Sequence, residues 1–374
     1  MRIAAGHLIY SNKATLFAVP FDLDKLETRG TAVPILDEVA YDKTTGTGQL
    51  DFSPAPSGHG TLVYRRTSGG APAMATLQWL DATGRKEPLA AKPGAYRSVN
   101  LSPDGKRVAL TSGDAGSTDL WVYDTQRDAM TRLTFGGSNL YPSWSPDGQY
   151  LVFASIGKGI FQARADGAGQ PQALTQNKAL GVPGSFTPDG KRLAYHDFSA
   201  GNAQIWTMPV EDQRGQLKAG TPEQFLKNSF TERDPMFSPD GRWLAYSSTE
   251  SGKNEVYVRA FPPPSSGQAG KWQISNNGGE RPFWLRNGHD LVYGSGDSLM
   301  TVGYTVRGDT FVADKPRVSI NLPGKIRDFE PARDGKRVLV LTPMESAEPP
   351  KQEHVVVFLE NFFDYLRQRV PLGK

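Results

Sequence analysis

The sequence of 374 residues contains no cysteine and only five histidines. Without cysteine there can be no disulfide, no thiolate metal site and no cysteine nucleophile. No apolar run approaches the ~20 residues that cross a bilayer, and the N-terminus lacks the apolar core of a signal peptide, so we expect a soluble chain. A net charge of +3 is too small for a phosphate-binding surface, so nucleic acid is not an expected partner.

Glycine and proline are abundant, with 40 and 28 copies. Together they make up about 18 % of the chain, against roughly 12 % in average proteins. This excess is below the level of a disordered low-complexity chain. It therefore indicates a folded protein with many turns.

A four-residue turn motif recurs along the chain. Its clear copies are Ser102-Pro103-Asp104-Gly105, Ser145-Pro146-Asp147-Gly148, Thr187-Pro188-Asp189-Gly190 and Ser238-Pro239-Asp240-Gly241. Weaker copies are Leu285-Arg286-Asn287-Gly288 and Ala332-Arg333-Asp334-Gly335, and a degenerate one begins at Ser53-Pro54. In such a turn Pro presets φ, Asp caps its own backbone and Gly takes the positive φ. The copies begin 42 to 51 residues apart, which is the period of propeller blades.

The segments between the turns predict four antiparallel strands per repeat, which is typical of a β-propeller blade. We therefore predict an all-β fold, a single propeller domain over residues 1–374. Its repeat units are predicted at about 1–48, 49–92, 94–135, 138–176, 181–228, 231–276, 278–322 and 325–360. We favour eight blades, with seven as the alternative. Closure would bring the chain ends together and leave no strand edge exposed.

A short helix is predicted over residues 361–370, where Phe362, Phe363, Leu366 and Val370 have helical spacing. One interpretation is a capping helix that covers part of the fold. The other is a docking helix for a partner, which would need an exposed apolar face.

The turns and the strands that follow them resemble the PD40 repeats of TolB-like, WD40-like propellers. Other segments are similar, in order and spacing, to the C-terminal propeller of acidobacterial-type serine/threonine protein kinases: Gly6 to Tyr10, Leu16 to Asp22, Arg132 to Phe135, Phe237 to Tyr246, Glu255 to Pro262 and Asn361 to Phe363. The resemblance implies a bacterial sensor domain outside the cytoplasm. The sequence has no Gly-rich phosphate loop, His-Arg-Asp loop or Asp-Phe-Gly motif, so we expect no phosphoryl transfer.

Catalytic and metal motifs are also missing. No Gly-x-Ser-x-Gly elbow occurs, which argues against a serine hydrolase. The histidines fall in different repeat units with no two at ligand spacing: His7, His59, His196, His289 and His354. We therefore expect neither a metal nor another cofactor. The pair His196-Asp197 follows a predicted strand and is interpreted as a loop hydrogen bond.

A ligand site is expected at a mouth of the central channel, where all blades converge. The innermost strand should precede each turn, so residues four or five positions before the turn should lie near one channel end. Those positions read Arg97-Ser98, Leu140-Tyr141, Val182-Pro183, Arg233-Asp234, Glu280-Arg281 and Arg327-Asp328. The predicted ligand-binding residues are Arg97, Tyr141, Arg233, Asp234, Arg281, Arg327 and Asp328.

Four of these residues are arginines, although the fold requires none. We interpret them, with Tyr141 as an apolar wall, as an electropositive funnel for a carboxylate-bearing ligand such as an acidic peptide. In the alternative, Asp234, Glu280 and Asp328 neutralise the arginines as salt bridges between blades. The function predicted is a non-catalytic, monomeric recognition or sensor module that binds a protein, a peptide or a small anion. The alternative is a propeller lyase or hydrolase with a His and Arg site in the channel.

Overall fold

The computed structural model describes residues 2–12, 14–40, 48–53, 59–66, 74–113, 117–175, 179–263, 270–324, 326–344 and 355–372. It divides into two compact units. The first unit consists of residues 1–73 and 345–374, and the second of residues 74–344. Predictions that concern Pro54 and His354 fall outside the described residues.

The first unit begins with seven strands: β1 (Arg2–Ala4), β2 (His7–Asn12), β3 (Thr15–Asp22), β4 (Glu27–Thr28), β5 (Val33–Leu36), β6 (Leu50–Ser53) and β7 (Thr61–Arg65). Strands β1 to β5 form one antiparallel sheet, and β6 pairs with β7 in another. Over the first four residues of β2 and of β3 buried and partly exposed residues alternate, as expected when one face of a strand is buried.

The second unit opens with β8 (Ala75–Asp81) and β9 (Lys86–Pro88). Blade 1 follows as β10 (Tyr96–Leu101), β11 (Arg107–Gly113), β12 (Thr118–Asp124) and β13 (Ala129–Arg132). Blade 2 is β14 (Asn139–Trp144), β15 (Tyr150–Ser155), β16 (Gly159–Arg164) and β17 (Gln172–Ala173). Blade 3 is β18 (Gly181–Phe186), β19 (Arg192–Asp197), β20 (Gln204–Asp212), β21 (Leu217–Ala219) and β22 (Glu223–Gln224).

Three more blades complete this unit. Blade 4 is β23 (Glu232–Phe237), β24 (Trp243–Ser248), β25 (Glu255–Ala260) and β26 (Lys271–Gln273). Blade 5 is β27 (Glu280–Trp284), β28 (Asp290–Ser295), β29 (Ser298–Arg307), β30 (Thr310–Ala313) and β31 (Arg317–Asn321). Blade 6 combines β32 (Asp328–Pro331) and β33 (Arg337–Pro343) with β8 and β9.

The six blades of the second unit form a closed ring. Each pair of successive blades shares a buried apolar cluster, and the clusters run from blade 1 through blade 6 and back to blade 1. Blade 6 closes the ring because β33 pairs antiparallel with β8 over seven residues, from Arg337 opposite Asp81 to Pro343 opposite Ala75. The pairing of both ends of the unit in one sheet leaves no open blade edge at the seam.

The all-β propeller of four-stranded antiparallel blades with a short C-terminal helix is confirmed. The described residues form eight sheets, but the ring closes with six, which corrects the predicted ring of eight or seven. Predicted unit 49–92 divides between β6–β7 and β8–β9. The repeated turns could not reveal this division, because a turn motif does not specify the partner of the strands beside it.

The chain ends in the first unit with β34 (Val356–Leu359), which pairs with β7, and helix α1 (Phe362–Arg369). Predicted unit 325–360 therefore also divides, between β32–β33 and β34. Phe362, Leu366 and Val370 are buried in the apolar cluster of this unit. The apolar face of α1 is covered, so it is a capping helix, and the docking interpretation is wrong.

Each clear turn is held by one hydrogen-bond pattern. The Ser102 hydroxyl donates to Asp104 Oδ1 at 2.5 Å and accepts from the Arg107 amide at 2.9 Å. The Lys106 amide donates to Asp104 Oδ1 at 3.1 Å, and Gly105 has a φ of 71°. The turn residues therefore satisfy each other, and the next strand starts in a fixed register.

Candidate functional site

The innermost strands of the blades are β10, β14, β18, β23, β27 and β32. Neighbouring ones contact each other around the ring, and the Arg281–Asp328 ion pair joins β27 to β32. Five of them contain a register shift, located at Tyr96/Ser98, Leu140/Ser143, Pro183/Ser185, Arg233/Met236 and Glu280/Phe283. Such bulges re-aim side chains at the end of a strand. The bulged residues Tyr141, Asp234 and Arg281 have φ of 53°, 54° and 52°, a region that non-glycine residues rarely adopt.

These bulges border a cavity of about 430 Å³, which we call the bulge-end cavity. All seven predicted ligand-binding residues line it: Arg97, Tyr141, Arg233, Asp234, Arg281, Arg327 and Asp328. They come from blades 1, 2, 4, 5 and 6. The geometry brings the predicted residues together, while their role in binding a ligand stays a prediction.

One of the four arginines is already paired inside the cavity. Arg281 forms an ion pair with Asp328, donates to the Phe329 carbonyl at 3.1 Å and stacks 4.6 Å from the Phe329 ring centroid. Burial disfavours the charged form of Arg281, but Asp328 and Asp234 outweigh burial, and the pKa of Arg281 is raised. For Arg281 the predicted salt bridge between blades is therefore present.

Asp328 has a second partner on the opposite side. Its Oδ2 accepts a hydrogen bond from the Val99 amide at 2.8 Å. Asp328 is 8 % exposed, so both of its carboxylate oxygens are used within the protein. This carboxylate therefore links blades 5, 6 and 1.

Arg97 lies on β10 of blade 1, and Arg327 immediately precedes β32 of blade 6. Arg327 Nη1 donates to the Tyr96 carbonyl at 2.6 Å, and Arg97 Nε donates to the Gly113 carbonyl at 3.2 Å. Burial lowers the pKa of Arg327, and the nearby charge of Arg97 lowers it further. The positive charges of the two guanidinium groups therefore repel each other.

Arg233 completes the arginine set on blade 4. Its guanidinium carbon lies 5.5 Å from the ring centroid of Phe198. Its neighbour Asp234 accepts from the Ser247 hydroxyl at 3.2 Å. Within the described ranges, neither Arg97 nor Arg233 has a carboxylate oxygen within 4.0 Å.

His196 also lines the bulge-end cavity, although the sequence analysis set it aside. It lies on β19 and is 5 % exposed. Its Nδ1 accepts from the Asp234 amide at 3.4 Å, so Nε2 carries the proton of the neutral ring. Burial is the main cause that lowers the pKa of His196 to about 4, so the ring is neutral at pH 7. The loop hydrogen bonds belong instead to Asp197, which accepts from Ser199.

Phe198 and Glu330 were missed as well. Phe198 forms part of the wall, and Glu330, which is 2 % exposed, lies on β32 at the base of the cavity. The signal for Glu330 was available, because residues two apart on a strand share a face and Asp328 was already assigned. Nothing in the repeat pattern pointed to Phe198.

Comparison with known proteins gives two kinds of match. No family model matches the sequence. The chain is 29 % identical over 227 residues to the Tol-Pal system protein TolB of Francisella tularensis, which covers 58 % of this chain and 50 % of that protein. It is 30 % identical over 181 residues to the uncharacterised peptidase YuxL of Bacillus subtilis, which covers 44 % and 25 %.

A solved structure of an Agrobacterium tumefaciens protein described as a TolB superposes with a TM-score of 0.53 at 18 % identity. It covers 74 % of this chain and 100 % of that one. The chain is thus similar to TolB in part of its sequence and shares the propeller fold of the solved structure. The match covers 50 % of the curated TolB, so the chain spans about half the length of that relative.

The described residues give two further findings. None of the described helices is long and apolar enough to cross a membrane. Over the same residues, no three His, Asp or Glu side chains are grouped as metal ligands would be. In the first unit, His7 faces the carbonyls of Ala5 and Val370, and His59 pairs with Asp364.

Proposed function

We propose that this TolB-like propeller is a non-catalytic recognition module that binds an acidic segment of a protein partner at the bulge-end cavity. One observation carries the proposal. Arg97 and Arg233 line the cavity with no carboxylate within 4.0 Å in the part of the chain that the structure describes, while Asp328 is engaged by Arg281. Guanidinium groups bind carboxylates in bidentate fashion, so a ligand carboxylate fits this gap.

The similarity to TolB supports a protein as the partner, since that relative is by name a component of the Tol-Pal system. The resemblance to kinase-linked propellers supports a finer proposal, a monomeric sensor domain outside the cytoplasm. Cell fractionation of the native host, with immunodetection of the protein in the periplasmic or the cytoplasmic fraction, tests the location. Recovery in the cytoplasmic fraction alone would refute that part.

The enzyme alternative depends on His196, the one histidine that lines the bulge-end cavity within the described residues. A base with a pKa of about 4 accepts a proton poorly at neutral pH. The acidic residues of the lining are Asp234, Asp328 and Glu330, and Asp328 already holds Arg281 and the Val99 amide. The four arginines and the aromatic and apolar side chains beside them suit recognition of an anion.

The test uses fluorescence anisotropy of a fluorescein-labelled hexaglutamate peptide with the full chain. The variant Arg97→Glu/Arg233→Glu places two acids in the cavity and should weaken binding by about tenfold or more. The matched control is Arg127→Glu/Arg307→Glu, which makes the same change in net charge at exposed positions outside the cavity. A control that binds as the parent protein does would assign the effect to the cavity.

Two results would overturn the proposal. One is equal weakening by both double variants, which would show that only net charge matters. The other is no binding of hexaglutamate to the parent protein. The same anisotropy with a hexaglutamine peptide should show no binding, because the proposed contacts require the carboxylates.

A further inference from the structure

A second cavity of about 320 Å³ opens where the repeated turns lie, and we call it the turn-end cavity. It shares lining residues with the bulge-end cavity: Asn100, Gly184, Met236, Phe283 and Glu330. Both cavities belong to the second unit. The channel thus has two mouths that meet at these shared residues, and the proposed peptide site uses only one of them.

The second positions of the six turns form a ring around the turn-end cavity. In blades 1 to 4 this position is Pro103, Pro146, Pro188 and Pro239, and in blades 5 and 6 it is Arg286 and Arg333. All six side chains line the cavity. If all six turns had the proline, this ring would be wholly apolar. It instead carries two guanidinium groups, which lie on adjacent blades.

Among the described residues, neither of these two arginines forms an ion pair within 4.0 Å. Arg333 Nη2 donates to the Leu101 carbonyl at 3.5 Å, while its buried Nε has no hydrogen-bond partner in the same part of the chain. Burial lowers the pKa of Arg333; Glu330 acts in the opposite direction, and Arg286 lowers it further. Two guanidinium groups that line one cavity without an ion pair are a preferred site for an anion.

Glu330 is the one acidic residue of the turn-end lining, and its buried Oε2 has no hydrogen-bond partner in the described part of the chain. Two arginines against one carboxyl leave the charged residues of this cavity net positive. An anion is therefore favoured over a cation, even when Glu330 is ionised.

The rest of the wall is mainly apolar and aromatic, with Asn100, Ser143, Ser185 and Ser238 as its polar side chains. Trp144 and Trp284 line the cavity, but their indole N–H groups donate to the carbonyls of Asn100 and Met236 at 3.0 and 2.9 Å. Phe186 adds an aromatic ring. With the indole donors already used, the tryptophan side chains offer hydrocarbon surface, and the charged groups of the lining are the two arginines and Glu330.

We propose that the turn-end cavity is a second binding site, for a small anion with an apolar body such as an arylalkyl carboxylate. The carboxylate lies between Arg286 and Arg333, and the apolar body lies against the prolines and the indole rings. A volume of about 320 Å³ is at the small end of ligand pockets, which suits a small molecule. This site does not depend on peptide binding at the other mouth.

The test is isothermal titration calorimetry of the full chain with 4-phenylbutyrate and with 4-phenyl-1-butanol, which has the same apolar body without the charge. We expect the carboxylate to bind about tenfold or more tightly than the alcohol. Arg286→Gln/Arg333→Gln should remove this preference. Arg127→Gln/Arg307→Gln, which removes the same charge at exposed positions outside both cavities, should leave it unchanged.

The single variant Arg286→Gln keeps the test valid if the double variant does not fold, because Arg286 is exposed and its substitution leaves Arg333 in place. It should weaken 4-phenylbutyrate severalfold. Equal affinity for the acid and the alcohol would overturn the proposal. So would no measurable binding of 4-phenylbutyrate, or loss of its binding in Arg127→Gln/Arg307→Gln as well.

Discussion

The two mouths of the ring are built in opposite ways. At the bulge-end mouth the residues differ between blades, with arginines from four blades and Tyr141 from blade 2, and Tyr141, Asp234 and Arg281 have left-handed backbone. At the turn-end mouth four blades contribute the same proline, and only Arg286 and Arg333 depart from the repeat. The repeated residues are the ones that every blade needs in order to fold. Chemistry specific to this chain is therefore found where the repeat is interrupted.

The contrast extends to the cost of building each mouth. A non-glycine residue in left-handed backbone costs on the order of 1 kcal/mol, so the bulge-end mouth contains strain that other contacts must offset. The Arg281–Asp328 pair and the Val99 hydrogen bond supply such contacts. The turns need no such compensation, because Gly105 and its equivalents take the positive φ.

The largest expected effect is the loss of the ion pair that ties the bulge-end mouth together. Asp328→Asn keeps an acceptor for the Val99 amide but leaves Arg281 without its carboxylate. We expect the free energy of unfolding to fall by about 3 kcal/mol. Urea denaturation followed by tryptophan fluorescence measures it.

The matched control is Asp166→Asn, which removes the carboxylate from the exposed pair with Arg164. Its expected cost is about 0.5 kcal/mol, because solvent screens exposed pairs. Equal costs for both variants would mean that the bulge-end mouth does not depend on its internal ion pair.

A second prediction concerns Glu330, which lines both mouths. Burial is the main cause that raises the pKa of Glu330 to about 7. The charges of Arg333 and Arg281 lower this pKa, and the charge of Asp328 raises it. Below its unfolded pKa of 4.5 the carboxyl is protonated in both states. As the pH rises to about 7 the unfolded state loses its proton first, so this residue lowers stability over that window.

Glu330→Gln removes this titration. Relative to the parent protein, the variant should gain about 2 kcal/mol of unfolding free energy between pH 4.5 and pH 7. The comparison is made by urea denaturation at several pH values, with the exposed Glu87→Gln as control. A stability difference between Glu330→Gln and parent that does not change with pH would contradict the prediction.

The sequence made much of the ring and one mouth predictable. A turn such as Ser102 to Gly105 has local causes, and its period indicates blades whatever the rest of the chain does. The seven residues of the bulge-end cavity followed from a fixed distance to those turns. Local pattern was sufficient in both cases because the position within a blade determines the distance from the axis.

What the sequence did not reveal depends on non-local pairing. Closure of blade 6 requires β33 to pair with β8, more than 250 residues away, and nothing in either strand specifies that partner. His196 was missed because its strand is second in its blade and its side chain reaches the cavity only beside the Asp234 bulge. Arg286 and Arg333 could be recognised in the sequence as departures from the repeat. Only the closed ring shows that they line the same cavity.

The smallest effect is expected at the turn-end mouth, where the repeat is intact. Ser238 is 1 % exposed; its hydroxyl donates to Asp240 at 2.5 Å and accepts from the Trp243 amide at 3.0 Å. Ser238→Ala leaves that amide with one acceptor fewer, and we expect a cost of about 1 kcal/mol in urea denaturation. Ser251→Ala, at an exposed hydroxyl, serves as control and should cost less than about 0.5 kcal/mol.

Leu285 and Ala332 already lack this hydroxyl, so their turns close without it. A cost near zero for Ser238→Ala would mean that the hydroxyl is dispensable in the intact turns too. The serine would then be a repeated residue that does not stabilise the turn.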